Sequence, residues 1–208
     1  MSANDPRNLS AEKITLDDLQ RYFVLDDRPG DLTIFPEWQQ DLPLLTDDDR
    51  LRLDKAQAHY AHLSKRPILK AMVKMVILSP LLELAGFYDP PFYAKSEKSV
   101  NISAQDHNLT IRGKIDILVT QDQFWILVIE SKQSGIAIDS GIPQALTYML
   151  AAPDHTKSLY GMVTNGNNFI FIKLHDHTYQ LSDEFSLRRR GDLYQVLAIL
   201  KHLANLLK

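Results

Sequence analysis

The 208-residue chain contains no cysteine. That excludes disulfides and thiolate metal sites, leaves oxygen or imidazole as the only metal donors, and fits a reducing, cytoplasmic setting. No apolar run is long enough to span a bilayer, and the opening MSANDPRNLS lacks the basic-then-apolar profile of a secretory signal. A glycine-rich phosphate loop, a Gly-x-Ser-x-Gly elbow and internal repeats are also missing. Nor is there a surplus of positive charge, the net charge being −3. Its distribution matters more than its sum. Residues 1–50 carry 12 acidic and 5 basic side chains, whereas residues 51–208 carry 14 and 18. The acidity belongs to the N-terminal region, and the remainder tolerates a polyanion without showing a strongly basic stripe.

What is present is a 45% hydrophobic, 24% charged composition with chain enough for one sizeable core. Residues 1–45 read as an irregular acidic arm, with Leu16–Val24 as a short helix or strand and RPG, FPEW and LPLL as turns. Residues 46–208 read as a single domain. Thr46 before DDDR is an N-cap signal, and a helix is predicted from there to about Leu63. Pro67 opens a second, largely apolar helix ending near Gly86, with Pro80 as a kink. The period then switches to two. Strands are predicted at Phe92–Ser103, Leu109–Thr120 and Phe124–Lys132, with QDHN and QDQ as turns. A helix runs through IPQALTYMLAA. Ser158–Thr164 and Asn168–Leu174 pair around Asn165-Gly166, and a C-terminal helix spans about 183–207 with Gly191 as an interruption. The fold class is α/β, with a central mixed β-sheet flanked by helices.

Charge sits where burial makes it expensive, in GKIDILVTQDQFWILVIESKQ. Asp116 lies inside one apolar strand, and Glu130 and Lys132 close the next. Alternation puts Glu130 and Lys132 on one face and Ser131 on the other. The unbroken FWILVI run, with Phe124 and Trp125 in the core, reads as a central strand covered on both sides. The hairpin brings the strand ends together, although it does not by itself fix Asp116 opposite Glu130. Two close carboxylates repel, and a hard divalent cation, Mg²⁺ or Mn²⁺, relieves that repulsion. The Ser131 carbonyl could complete the ligand set, and Lys132 could orient a water or neutralise charge on a phosphate. A structural salt bridge is the alternative for any one of these residues, and the combined spacing favours the catalytic reading.

Asp116 with Glu130-Ser131-Lys132 resembles the signature of the PD-(D/E)XK nuclease superfamily. GKIDILV, VIESKQ, QALTYM and the hairpin at Thr164-Asn165-Gly166 resemble, more narrowly, the N-terminal nuclease domain of Type I restriction enzyme R subunits, over about residues 67–175. The resemblance implies a restriction-endonuclease-like core and a Mg²⁺-dependent deoxyribonuclease with Asp116, Glu130 and Lys132 as catalytic residues. It implies Gln144, Tyr148 and Gln133 as a rim near the DNA backbone. A chain of this length has no room for the ATP-driven translocase of such subunits, so the expectation is a nuclease domain standing alone, recruited to DNA by a protein partner.

The chain departs from the family's pattern at the first core helix, which offers Lys70 and Lys74 early and, as its one acid, Glu83. Glu83 is therefore the candidate for a supplementary metal ligand, and Glu97 is a second. A catalytically silent DNA- or protein-binding module is the alternative function, and a purely structural interaction protein is the third. The LRRR run at 187–190 reads either as a phosphate contact or as a solvated helix face. The pairs His59/His62 and His175/His177 lack a carboxylate at diagnostic spacing and read as ordinary surface or core histidines.

Overall fold

The computed structural model of the protein describes residues 7–28, 33, 35–104 and 109–208. The QDHN turn, Pro29 and Gly30 of the RPG turn and residues 1–6 of the N-terminal region lie outside them. Among the described residues no helix is long and apolar enough to cross a membrane.

The predicted hairpins form the centre of one mixed sheet. β1 (Arg7–Ser10), β2 (Asp26–Asp27), β3 (Phe92–Ala104), β4 (Leu109–Gln121), β5 (Phe124–Ser131), β6 (Leu159–Thr164), β7 (Asn168–His175), β8 (Thr178–Leu181) and β9 (Phe185–Ser186) all belong to it. The order is β1-β4-β5-β6-β7-β8-β2, with β3 also on β4 and β9 also on β7. β3, β4 and β5 are antiparallel neighbours, and β5 then pairs with β6 in parallel. The intervening crossover carries a 3₁₀ turn and α5 (Ile142–Leu150).

Helices cover both faces of the sheet. One face packs α2 (Asp47–Leu63), α4 (Ser79–Leu84) and α6 (Asp192–Leu206) over Val119, Leu127, Ile129, Met162 and Phe171. The other packs α5 and α1 (Leu16–Phe23) over Leu118, Val128, Val163 and Ile172. The fold is thus mixed α/β, a central mixed sheet flanked by helices. Thr46 caps α2 as the sequence predicts: its hydroxyl accepts from the Asp49 N–H, and the Asp49 carboxylate accepts from the Thr46 N–H.

Several boundaries differ from the sequence expectation. The expected irregular arm contributes β1, α1 and β2, and buries Leu19, Leu25, Phe35 and Trp38. The second helix starts at Lys70 rather than Pro67, as α3 (Lys70–Val73), and passes through a π-turn at Lys74–Leu78 before α4. Pro80 accounts for that turn, since it lacks an N–H and its ring crowds the preceding turn of backbone. The C-terminal helix begins at Asp192. Gly191, at φ 94°, caps it, and residues 185–186 pair with β7 instead of extending it. Trp125 is only half-buried against the core, and the Phe124 side chain lies outside the described ones.

Two details of β4 and β5 place the site. Near the hairpin, Thr120 pairs with Trp125, but Val119 pairs with Leu127, so β5 carries one extra residue there. The bulge flips the faces: Trp125 packs on the α5 side, whereas Leu127 packs on the α2 side. The second detail is that the β4 edge forks. β1 pairs with it at Leu109–Arg112 and β5 at Ile117–Gln121, which leaves residues 113–116 without a strand on that edge.

Candidate active site

The site forms in that fork. Ile117 pairs with Ile129, so one further step along the ladder sets Asp116 opposite Glu130. The Ser131 N–H and hydroxyl both donate to Asp116 Oδ2, at 2.8 and 3.0 Å, and tie the strand ends together. Both carboxylates are buried, Asp116 at 3% exposure and Glu130 at 0%.

Lys132 stands beside them. Its Nζ lies 3.3 Å from Glu130 Oε1 and donates to Gln144 Oε1 at 2.5 Å. The Gln144 amide donates to Tyr148 Oη at 2.7 Å, and that oxygen also accepts the Lys114 N–H at 3.2 Å. Gln144 and Tyr148 are four apart on α5 and so share a face. Tyr148 fills the fork and satisfies a backbone donor that no strand covers. The fit is close: a Cβ at Gly113 would lie 2.5 Å from the Tyr148 ring. Gln144 and Tyr148 are buried at 3% and 1% exposure, which makes them an inner wall behind Lys132 rather than a rim. Gln133 is exposed, in the loop leaving β5.

The first core helix contributes two lysines. Lys70 Nζ lies 2.6 Å from Asp116 Oδ2 and 3.5 Å from Glu130 Oε1, bridging the pair. Lys74 Nζ lies 2.8 Å from Asp116 Oδ1 and 3.0 Å from Glu97 Oε1, with Lys114 3.5 Å from the other Glu97 oxygen. Glu97 holds an unusual φ of 57° within β3, beside Asp116 in the ladder. It therefore borders the site through Lys74. Glu83 is not brought in: it pairs with Arg52 of α2 at 2.6 Å and is 54% exposed.

These surroundings separate the two carboxyls. Burial by itself would raise Asp116, but Lys70, Lys74 and the Ser131 N–H hold it below its ordinary value. Burial, then the Asp116 charge, push Glu130 up to about 7 despite Lys70 and Lys132. Although both lysines are within ion-pair reach, neither Glu130 oxygen receives a hydrogen bond. Burial also pushes the Tyr148 hydroxyl up to about 12, so it stays neutral while accepting both bonds.

Among the described residues no group of three or more His, Cys, Asp or Glu side chains is arranged to hold a metal ion. The side-chain donor set is two carboxylates. Lys70 and Lys74 were visible in the sequence as departures from a family pattern, but nothing in their spacing announced that they close on Asp116.

No family model and no curated protein matches the chain. Among solved structures it is similar to a fragment assigned as the HsdR subunit of a type I restriction enzyme from Vibrio vulnificus YJ016. The identity is 19% and the TM-score 0.41, over 63% of this chain and 25% of that one. The chain thus spans about a quarter of that structure's length.

Proposed function

We propose that this protein is a divalent-cation-dependent endonuclease that hydrolyses phosphodiester bonds of DNA. The observation that carries the reading is Glu130: a fully buried carboxylate, opposite a second one, with neither oxygen hydrogen-bonded. A buried carboxylate with ammonium groups at 3.3 and 3.5 Å but no hydrogen bond is under-satisfied, and a proton or a cation would relieve it. The donors fit a hard cation such as Mg²⁺ or Mn²⁺. Asp116 and Glu130 would hold it, with the Ser131 carbonyl, whose N–H already faces β4, as a third oxygen. Lys70, an ammonium bridging both carboxylates, already puts positive charge there. When bound, the cation supplies an acidified water and Lewis-acid stabilisation of a phosphate oxygen.

The chain's own groups do the rest. Lys132, held by Gln144, presents a fixed positive charge to the phosphate. In the cation-free site burial and the Asp116 charge push Glu130 up to about 7, and binding a cation there would favour its ionised form. Gln133, exposed in the loop leaving β5, would be the rim group that meets DNA. The proposed setting is the cytoplasm, with a protein partner delivering the DNA.

One observation favours a second reading, a catalytically silent DNA- or protein-binding module: Lys70 and Lys74 already neutralise Asp116. Supercoiled plasmid with Mg²⁺ or Mn²⁺ decides between the two. Nicking or cutting that disappears in Lys132→Ala and Asp116→Ala, both still folded, supports the enzyme. Cleavage that persists in both variants identifies a contaminant. Salt-dependent binding without cleavage identifies the module.

A further inference from the structure

The LRRR run is not on a helix. Leu187 is pinned by two hydrogen bonds, its N–H to Asn167 O at 2.8 Å and its carbonyl to the Gln57 amide at 2.8 Å. Arg189 turns back on its own segment, pairing with Asp192 at 3.2 Å and donating to the Glu184 carbonyl. Arg188 and Arg190 stay exposed, and neither makes an ion pair among the described residues. They line a hollow of about 580 Å³ whose opposite wall is α2, where Arg50 lies 5.0 Å over the Tyr194 ring. The one acid in the lining, Asp54, is engaged by the Tyr194 hydroxyl at 2.5 Å. Three guanidiniums thus share one concavity with a single carboxylate, an excess of positive charge suited to forked recognition of phosphate oxygens.

The hollow is mechanically joined to the candidate active site. Asn167, which accepts from Leu187, also donates to Ser134 at 3.3 Å, two residues beyond Lys132. In the sheet, β9 lies three strand spacings from β5, roughly 15 Å at the usual 4.7–4.9 Å each. We propose that Arg50, Arg188 and Arg190 form a phosphate-binding site that grips the backbone of the nucleic-acid substrate away from the bond being cut. The proposal rests on the nuclease reading for its ligand, but not on catalysis for its test.

The test is duplex binding by the full chain carrying Lys132→Ala, in EDTA, across a range of NaCl concentrations. Adding Arg188→Ala and Arg190→Ala should weaken binding about tenfold at low salt and lower the salt slope by about 2, one unit for each lost phosphate contact. A charge-matched control, Lys13→Ala with Arg28→Ala, should leave both nearly unchanged. Equal losses in the two pairs mean bulk charge and overturn the site. An unchanged affinity and slope in the arginine variant overturn it as well, as does the absence of any duplex binding. Calorimetric titration with inorganic phosphate covers the other source of the ligand: tight, saturable phosphate binding with duplex affinity insensitive to the arginines would assign the hollow to a free anion. The two proposals fail separately. Plasmid cleavage by an arginine variant that binds like wild type leaves the nuclease and removes the site. Arginine-dependent binding without cleavage under any cation does the reverse.

Discussion

Lys132 donates to Gln144 at 2.5 Å, and this bond, rather than the ion pair with Glu130, fixes where the ammonium points. The Glu130 contact is longer, at 3.3 Å, and lacks hydrogen-bond geometry. Gln144 is in turn held by Tyr148, whose hydroxyl is anchored on the β4 backbone. Gln144→Ala should therefore lower the plasmid cleavage rate by about 10–100-fold while leaving duplex binding in EDTA near wild type. Loss of both together would make Gln144 a fold determinant rather than a positioning residue.

Lys70 competes with any cation for the same two carboxylates. Lys70→Met keeps the alkyl stem and removes the charge, so it should tighten Mn²⁺ binding by about tenfold, read by calorimetry or electron paramagnetic resonance. Without cation the variant should lose about 1–2 kcal/mol of stability, less than a fully broken buried pair, because Lys74 stays on Asp116 and Lys70 is partly solvated. Weaker Mn²⁺ binding would mean that Lys70 supports the cation rather than substituting for it.

Glu130 makes the cation-free protein sensitive to pH. Its folded pKa, about 7, lies above the ordinary 4.5, so the folded chain binds this proton more tightly than the unfolded one. The resulting stability is fully present below about 4.5 and is lost as pH rises through about 7, on the order of 3 kcal/mol in all. Asp116 acts oppositely and elsewhere: its depressed pKa contributes stability above 3.8 that disappears only in stronger acid. Denaturant titrations from pH 4 to 8 should show Glu130→Gln gaining on wild type as pH rises. A constant difference would remove Glu130 as the titrating group.

Gly166 turns the hairpin between β6 and β7 at φ 85°, with the Tyr60 hydroxyl 2.5 Å from where a Cβ would lie. Gly166→Ala combines backbone strain with a clash against a buried ring and should cost about 1–3 kcal/mol in thermal unfolding. Tyr60→Phe, which loses a long 3.4 Å hydrogen bond to Asn165 and the hydroxyl's interaction with Ser134, should cost about 1–2 kcal/mol. A Gly166→Ala protein as stable as wild type would show that the turn relaxes away from α2.

The legible parts of this fold were those written locally. The β4–β5 hairpin, the Asp116/Glu130-Ser131-Lys132 cluster and the Thr46 cap each declare themselves within a few residues, by alternation, by misplaced charge or by a capping pair. Residues 7–10 declare nothing, because β1 exists only by pairing with a strand about a hundred positions away. Lys70 and Lys74 were equally mute, since a lysine on a helix is ordinarily solvated. Only the fold reveals that the helix aims them at Asp116. Gln144 and Tyr148 were named through resemblance, yet their burial, and so their role as supports, comes from the fork in the β4 edge.

The extra residue in β5 works as a parity bit. Every side chain from Leu127 onward takes its face from an even-or-odd count that the bulge resets, so the address of Glu130 is stored near the hairpin, not at Glu130. Excising that residue would leave the Glu-Ser-Lys string intact and present Ser131 to Asp116's partner position. The same letters would then be read in the wrong frame.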